Sequence, residues 1–251
     1  MARTFPTGEY RNWGRCKALL PYAEAVLLRW PSRSNCLEDW ALVCMNAAWY
    51  TWEMGNLVEA ERMARKALDI RKLILGEDDP ATLVAMYYLC IIYYKQGKYK
   101  EAASANETLV RKRTQMLGRE NTETLKSIRN LANCYWELVR HTEATQMHEE
   151  VLSVRKRVIG EEHPDTLKSL RDVAECNWKK GKRKVAMDMY ESVWKARKRI
   201  LKEEHPDTLE STCDLALCYW HQGDWKVAID MYHDVLKARK QLLGNDHPST
   251  L

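Results

Sequence analysis

The stretch His163-Pro164-Asp165-Thr166-Leu167 returns unchanged at residues 205–209 and, with one substitution, at 247–251 (HPSTL). Two more divergent copies precede it, at 79–83 (DPATL) and at 121–125 (NTETL). The leucines that end these copies stand at positions 83, 125, 167, 209 and 251, a constant interval of 42 residues. A period of about 20–50 residues is typical of a solenoid. The sequence therefore predicts stacked 42-residue units, each packed on its neighbours.

One unit, residues 163–204, predicts two helices. His163 stands at the N-cap, Pro164 fits the first helical position, and Asp165 favours the positive end of the helix dipole. This first helix (helix A) ends at Gly181, and the second (helix B) runs from about Arg183 to Leu201. The helix B side chains expected to face inward are Ala186, Met189, Tyr190, Val193, Trp194 and Ile200. Arginines 71, 113, 155, 197 and 239 are expected to compensate the helix B dipole.

The same residue types return at fixed places in every unit. The stop after helix A is Gly55, Gly97, Gly181 and Gly223, with Val139 as the exception. Small residues stand seven before the stop (Ala48, Cys90, Ala132, Ala174, Ala216) and five after it (Ala60, Ala102, Ala144, Ala186, Ala228). Small side chains on both helices predict a close approach of the two backbones, which a larger residue would overpack.

Residues 1–35 do not follow the repeat. A helix is predicted from about Glu9 to Leu20, and Pro21 is expected to open a second one, because proline is favoured at the first helical position and disfavoured inside a helix. We therefore expect a divergent capping hairpin over residues 1–35, followed by about five units over 36–251.

The repeat columns resemble a known family. Leu131-Ala132, Tyr135 and Ala144 stand at the spacing of the tetratricopeptide pattern. The 42-residue length, the His-Pro-Asp-Thr-Leu hinge and Arg155-Lys156 resemble the kinesin-light-chain type of this repeat. The resemblance implies an all-α fold, a right-handed superhelix of antiparallel helix pairs with helix A on the concave side.

A second, shorter resemblance concerns the start of the chain. The stretch 5–10 (FPTGEY), Asn12-Trp13, Cys16 and Leu20-Pro21 are similar to the segment that leads into the repeats of fungal NOD-like receptors. In those proteins a nucleotide-binding switch domain precedes the repeats. The resemblance implies that this chain is the sensor repeat region of such a protein. A cargo adaptor like the kinesin light chains is the alternative, although residues 1–35 show no heptad segment.

No motif for catalysis is present. The phosphate-loop pattern is absent, and His148-Glu149-Glu150 lacks the second histidine of a zinc hydrolase. The repeating His163, His205 and His247 lie one unit apart, on the order of 10 Å, too far to share an ion at bonds of about 2 Å. The sequence therefore predicts a protein that is not an enzyme and needs no metal or cofactor.

The candidate site is a surface on helix A. The residues expected to face the groove, read from the repeat columns, are Asn46, Trp52, Tyr87, Tyr94, Lys126, Arg129, Asn130, Trp136, Lys168, Arg171, Trp178 and Trp220. In the family that the sequence resembles, an asparagine at the place of Asn46 and Asn130 hydrogen-bonds the backbone of a bound peptide. The tryptophan column could equally well pack consecutive units, and the cations could form a solvated face.

These groove residues predict an extended peptide or protein partner with acidic and apolar side chains, because lysine and arginine bind carboxylates and indoles cover apolar groups. Exposed cations and aromatics could instead bind single-stranded nucleic acid. The weak net charge of +5, from 40 basic and 35 acidic residues, argues against that alternative.

Composition and chain ends give the remaining expectations. No run of apolar residues approaches the 18 or more of a membrane span, and the eight cysteines read as reduced core residues of a cytoplasmic protein. The chain ends where another helix A would begin, so we expect a fragment with an uncapped apolar face on the last helix B (Val235, Leu236, Leu242). Such a face favours self-association.

Overall fold

The computed structural model describes residues 5–7, 12–27 and 37–243. In this part of the chain every regular element is helical. The helices are α1 (Trp13–Leu27), α2 (Leu37–Glu53), α3 (Leu57–Leu75), α4 (Pro80–Lys95), α5 (Tyr99–Leu117), α6 (Thr122–Glu137), α7 (His141–Ile159), α8 (Pro164–Lys179), α9 (Arg183–Leu201), α10 (Pro206–Gln222) and α11 (Trp225–Leu243). They form two compact units, Met1–Ala144 and Thr145–Leu251.

Helices pack in chain order within each unit. In unit 1 (1–144), α2 packs on α3, α3 on α4, α4 on α5 and α5 on α6. In unit 2 (145–251), α8 packs on α9, α9 on α10 and α10 on α11. Within each unit these contacts alternate between a helix A with its own helix B and a helix B with the next helix A. This alternation confirms the predicted helix pairs, with α9 running from Arg183 to Leu201 as the sequence indicates.

The repeated hinge residues cap helix A. Backbone amides donate to the side chains of Asp79 (from Ala81, 2.8 Å) and Asn121 (from Glu123, 2.9 Å). In the His-Pro copies, Nδ1 of His163 accepts from the amide of Asp165 at 3.1 Å, and Nδ1 of His205 accepts from the amide of Asp207 in the next 42-residue repeat. The prediction that these histidines cap helices is therefore confirmed.

The stop after helix A keeps one backbone conformation even without glycine. Gly55, Gly97 and Gly181 have φ between 74° and 79°, and Val139 takes the same place with φ 65°. Val139 projects 75% exposed into solvent. A left-handed residue ends a helix by letting the next amides bond back onto it, so the substitution strains the turn without interrupting the repeat.

A second strained residue lies between α9 and α10. Lys202 has φ 72° and ψ 169°, where the equivalent Gly76 has φ 90° and ψ 168°. This region of backbone space is essentially restricted to glycine, and another residue there costs on the order of 1–3 kcal/mol.

Replacing Lys202 with glycine is expected to raise the free energy of unfolding by about 1 kcal/mol, because glycine relieves the strain but loses more backbone entropy on folding. Urea denaturation followed by circular dichroism measures the change. Lys180→Gly is the matched control, since Lys180 has φ −81° and gains nothing from glycine. Equal losses of stability in the two variants would contradict strain at Lys202.

The predicted small-residue contacts are present. Ala60, Ala102, Ala144, Ala186 and Ala228 are all fully buried, as are Cys90, Ala132, Ala174 and Ala216. In unit 2 one cluster joins Ala174 of α8, Ala186 and Tyr190 of α9, and Cys218 of α10. The small residues therefore let a helix B pack against two A helices.

The arginines near the end of helix B have a different role from the predicted one. Their Nη1 atoms donate to backbone carbonyls of the next helix A at 2.7–2.8 Å: Arg71 to Ala81, Arg113 to Glu123, Arg155 to Asp165 and Arg197 to Asp207. The last three arginines are 1–2% exposed, whereas Ile200 is 41% exposed. The prediction that Ile200 faces inward is wrong, because a buried hinge carbonyl needs a donor that isoleucine cannot supply.

The N-terminal helix also differs from expectation. A single helix, α1, runs from Trp13 to Leu27 with Pro21 inside it, so the predicted helix boundary at Pro21 is wrong. Cys16 and Ala23, on either side of the exposed proline, are both buried. Packing on both sides of Pro21 offsets the hydrogen bond that proline removes. The division into a cap (1–35) and repeats (36–251) stays a prediction, and residues 8–11 and 28–36 lie outside the described part.

The last described helix has an exposed apolar side. Leu236 and Leu242 are 37% and 47% exposed, and Val227 and Ile229 also face solvent. Val235 is 3% exposed and belongs to the core instead. The predicted fifth hinge at 247–251 lies outside the described residues, and self-association through this face stays a prediction.

Candidate functional site

The aromatic column packs against the turns that lead into helix B. In unit 1 the ring of Tyr94 contacts Tyr99, with 5.4 Å between centroids, and Trp136 contacts His141 at 4.4 Å. In unit 2 the guanidinium of Arg183 lies 4.2 Å from the centroid of Trp178. Trp52 is half-buried and Trp220 is 47% exposed. The column therefore has a packing role, and its contact with a ligand stays a prediction.

Two of these rings also contact helix A of the next 42-residue repeat. The hydroxyl of Tyr94 donates to Glu137 of α6 at 3.5 Å, and Trp178 contacts His221 of α10 at 5.3 Å. These contacts favour the interpretation of the column as a seam between consecutive A helices.

The asparagine column gives the clearest geometry, and it lies in unit 1. The side-chain amide of Asn46, on α2, donates from Nδ2 to the backbone carbonyl of Phe5 at 3.1 Å. Asn130, on α6, holds the equivalent place, and its Nδ2 is buried but finds no acceptor among the described residues. A buried donor without a partner costs about 1–3 kcal/mol. The same type of side chain thus donates to a backbone carbonyl at one site, and at the other it has no acceptor among the described residues.

Aromatic rings lie between these two asparagines. Tyr88 of α4 stands in the same column and stacks on Trp49 of α2, with centroids 6.4 Å apart and planes inclined by 30°. Tyr87 meets Tyr88 edge to face at 5.9 Å. Burial raises the pKa of the Tyr88 hydroxyl above its usual value, so Tyr88 stays a neutral hydrogen-bonding group. The stack of Trp49 on Tyr88 was not among the predicted site residues, although Tyr88 stands in the asparagine column.

Tyr87 itself belongs to the hinge. The guanidinium of Arg113 lies 5.2 Å from the centroid of its ring. Arg113 also donates to Ser127 at 2.9 Å and pairs with Glu123 at 3.4 Å. The predicted groove residue Tyr87 therefore supports the buried arginine that joins α5 to α6.

The predicted groove cations differ in availability. In unit 1, Lys126 pairs with Glu123 at 2.7 Å across one turn of α6, with both side chains about two-fifths exposed. Such an exposed pair contributes roughly 0.3–0.5 kcal/mol and exchanges readily for another carboxylate. Arg129 is half-buried on the same helix. Lys126 can therefore still bind an acidic ligand group.

In unit 2 the predicted cation Arg171 is held by the chain's own carboxylates. Its Nε and Nη2 form a forked pair with Asp214, the second contact at 3.0 Å, and its Nη1 lies 3.0 Å from Glu210. Burial raises the pKa of Asp214, and Arg171 opposes that shift. A forked arginine–carboxylate pair is strong and directional. Arg171 is therefore committed to an intramolecular pair, and Lys168 is the exposed cation nearby.

The seven cysteines in the described part of the chain are not of a reactive kind. Cys16, Cys44, Cys90, Cys134, Cys176, Cys213 and Cys218 are all unpaired thiols. Burial raises the pKa of Cys90 and of Cys134 to about 12, which disfavours the reactive thiolate. Within the described ranges, no group of three His, Cys, Asp or Glu side chains could hold a metal ion, and no helix is long and apolar enough to cross a membrane.

The packing of A and B helices and the left-handed residue after helix A define a helical-repeat protein. Comparison with known protein families gives the same class. The tetratricopeptide repeat family matches residues 38–115, 122–199 and 208–249. The chain belongs to the tetratricopeptide repeat family. Such repeats are scaffolds for protein interactions and are in general not catalytic.

One relative that matches by sequence is a nucleotide-binding leucine-rich repeat (NLR)-like protein of Hyaloscypha variabilis. It is 34% identical over 86 residues, which make up 34% of this chain and 9% of that protein. The matched stretch therefore spans less than a tenth of the length of that relative.

Solved structures show the fold class. The crystal structure of the Podosopora anserina putative kinesin light chain, with nearly identical TPR-like repeats, has a TM-score of 0.62 at 23% identity and covers 85% of this chain and 99% of that chain. NprR in complex with its cognate peptide NprX has a TM-score of 0.70 at 15% identity, covering 92% and 63%. These likenesses establish the all-α superhelical class of antiparallel helix pairs.

Proposed function

We propose that the A helices of unit 1 bind an extended peptide segment of a partner protein, with the Asn130 side chain as the backbone anchor. The observation that carries this proposal is the contrast between Asn46, which donates to the carbonyl of Phe5, and Asn130, whose buried amide nitrogen has no acceptor in the described part of the chain. A peptide carbonyl at Asn130 would complete the same hydrogen bond. NprR, solved with its cognate peptide, supports peptide binding as a use of this fold.

The side chains around Asn130 indicate which peptides fit. The Trp49–Tyr88 stack offers aromatic surface to apolar and proline side chains. Lys126 adds a cation that can leave Glu123 for an acidic residue of the ligand. In unit 1 the predicted acidic preference therefore rests on Lys126. In unit 2, considered by itself, it rests on Lys168 rather than on Arg171, which Asp214 and Glu210 already neutralise.

At the level of the whole protein, we propose a sensor repeat region of a fungal NOD-like receptor type. The similarity to the NLR-like protein of Hyaloscypha variabilis supports this assignment. The unpaired thiols support a reducing, cytoplasmic location. Binding of a partner segment to the repeats would then be the recognition event.

Replacing Asn130 with alanine is expected to weaken binding of selected peptides about tenfold, the equivalent of one hydrogen bond of roughly 1.4 kcal/mol. The probes are the tightest-binding sequences from an array of extended peptides, measured by fluorescence anisotropy. Gln115→Ala is the control, because it removes an exposed amide from helix B of the preceding repeat. Equal affinity of Asn130→Ala and the unchanged protein would refute Asn130 as the anchor.

A further inference from the structure

The segment Phe5–Thr7 is seated in unit 1 as a bound peptide would be. The Phe5 side chain is 6% exposed, and its carbonyl accepts from Asn46 of α2 at 3.1 Å. On the other side, Asn12, the residue directly before α1, donates to the carbonyl and the hydroxyl of Thr7 at 3.2 and 3.0 Å. Hydrogen bonds to the backbone and a pocket for a side chain are general features by which proteins bind extended peptides.

The residue order of this segment fits an extended conformation. A residue before proline is pushed out of the helical region towards extended backbone, so Phe5 is restricted by Pro6. Proline also lacks an amide hydrogen and thus leaves no donor unpaired at its own position. An aromatic residue followed by proline is therefore preorganised for burial of the ring beside a donor to the carbonyl, at a low entropic cost of binding.

We infer that Phe5–Thr7 is a built-in ligand of the Asn46 site, and that a partner segment with an aromatic residue directly before proline displaces it. This inference rests on the proposed function, since it assigns a ligand class to one end of the same row of A helices. The occupied Asn46 and the unsatisfied Asn130 are then two states of one type of subsite. A partner that engages both must first displace Phe5.

Because Phe5–Thr7 belongs to the same chain as the Asn46 site, its effective concentration determines how much external peptide is needed to displace it. A ligand tethered by a short segment has an effective concentration in the millimolar range. An external peptide of equal intrinsic affinity therefore half-displaces the segment only at millimolar concentration, and a partner that also binds Asn130 does so at lower concentration.

The test uses the single phenylalanine of the chain. Because the sequence contains one Phe, incorporation of 4-fluorophenylalanine labels position 5 alone, and its ¹⁹F NMR resonance reports burial of the ring in the full chain. The probe is the unlabelled heptapeptide Ala-Arg-Thr-Phe-Pro-Thr-Gly, which copies residues 2–8, added up to about 10 mM to exceed the effective concentration. The same peptide with alanine in place of phenylalanine is the control.

We expect the Phe-Pro peptide to move at least half of the ¹⁹F signal to the position of a solvent-exposed ring, and the alanine peptide to leave it unchanged. Asn46→Asp, which replaces the amide donor by an acceptor, should expose the ring without any peptide. A resonance that stays buried in both experiments would overturn the inference and make Phe5–Thr7 a permanent part of the core. Asn130-dependent peptide binding would survive that result, so the proposed function is tested separately.

Discussion

Replacing Arg113 with methionine is expected to lower the free energy of unfolding by about 3 kcal/mol, because it removes a buried charged hydrogen-bond donor. Arg113 is 2% exposed, and hydrogen bonds to charged groups contribute about 1.5–3 kcal/mol each. Its guanidinium donates to the carbonyl of Glu123 at 2.7 Å and to the hydroxyl of Ser127 at 2.9 Å. Methionine retains most of the apolar stem but leaves both acceptors without this donor.

The buried environment of Arg113 disfavours the charged form of its guanidinium. Burial lowers the pKa of its guanidinium, and Glu123 opposes the shift. The ion pair with Glu123 and the ring of Tyr87 stabilise the cation. Removing Arg113 relieves its desolvation but also breaks this arrangement, and one-sided removal of a buried charged partner is in general strongly destabilising.

Urea denaturation of Arg113→Met measures the loss, and Arg111→Met is the matched control. Arg111 is exposed on the same helix, so its replacement should change stability by less than about 0.5 kcal/mol. Combining Arg113→Met with Ser127→Ala should cost less than the sum of the single changes, because the two residues share a hydrogen bond. The prediction would be contradicted if the stability losses of Arg113→Met and Ser127→Ala were additive, or if Arg113→Met and Arg111→Met had equal effects. Either result would mean that the hydrogen bonds of Arg113 do not stabilise the contact of α5 with α6.

Replacing Ala186 with leucine is expected to destabilise the protein by about 3 kcal/mol, the upper end of the usual range for overpacking. Ala186 is fully buried where α9 meets both Ala174 of α8 and Cys218 of α10. Close-packed interiors leave no room for three additional heavy atoms without displacing a backbone. Both neighbours of α9 are therefore affected by one substitution.

The adjacent Val185 supplies the control for this substitution. It is 46% exposed, so Val185→Leu adds volume on the solvent side of the same helix and should change stability by less than about 0.5 kcal/mol. Thermal and urea denaturation followed by circular dichroism compare the two variants. A loss below about 1 kcal/mol for Ala186→Leu would mean that the helices are able to move apart, contrary to the close approach in the structure.

Local requirements of the backbone made much of the fold predictable. The hinge residues cap helix A because a short side chain, or His163 Nδ1, reaches an amide two residues further on. The stop needs a left-handed residue, which favours glycine, and the repeat identified Val139 as the residue that takes this place. The period of 42 and the alanine columns then fixed which helix pairs with which.

The repeat columns predicted which residues form the candidate site but not which groups they contact, and the site itself stays a prediction. Asn46 and Asn130 were found from their column, but the column does not reveal that Phe5 satisfies one and nothing described satisfies the other. Arg171 was likewise found as a cation, while its commitment to Asp214, 43 residues away, depends on how α8 and α10 meet.

The sequence by itself determined the repeat unit, its helix pairs and the family, because those follow from spacing and from backbone demands within a few residues. Only the tertiary structure decided that Arg197 is buried and Ile200 exposed, that α1 continues through Pro21, and that Phe5 lies against Asn46. Each of these depends on a group that lies outside the helix concerned. Contacts with such a group override the local conformational preference of a residue. The reason is that burying a polar group without a partner costs more free energy than a single residue's helix propensity contributes.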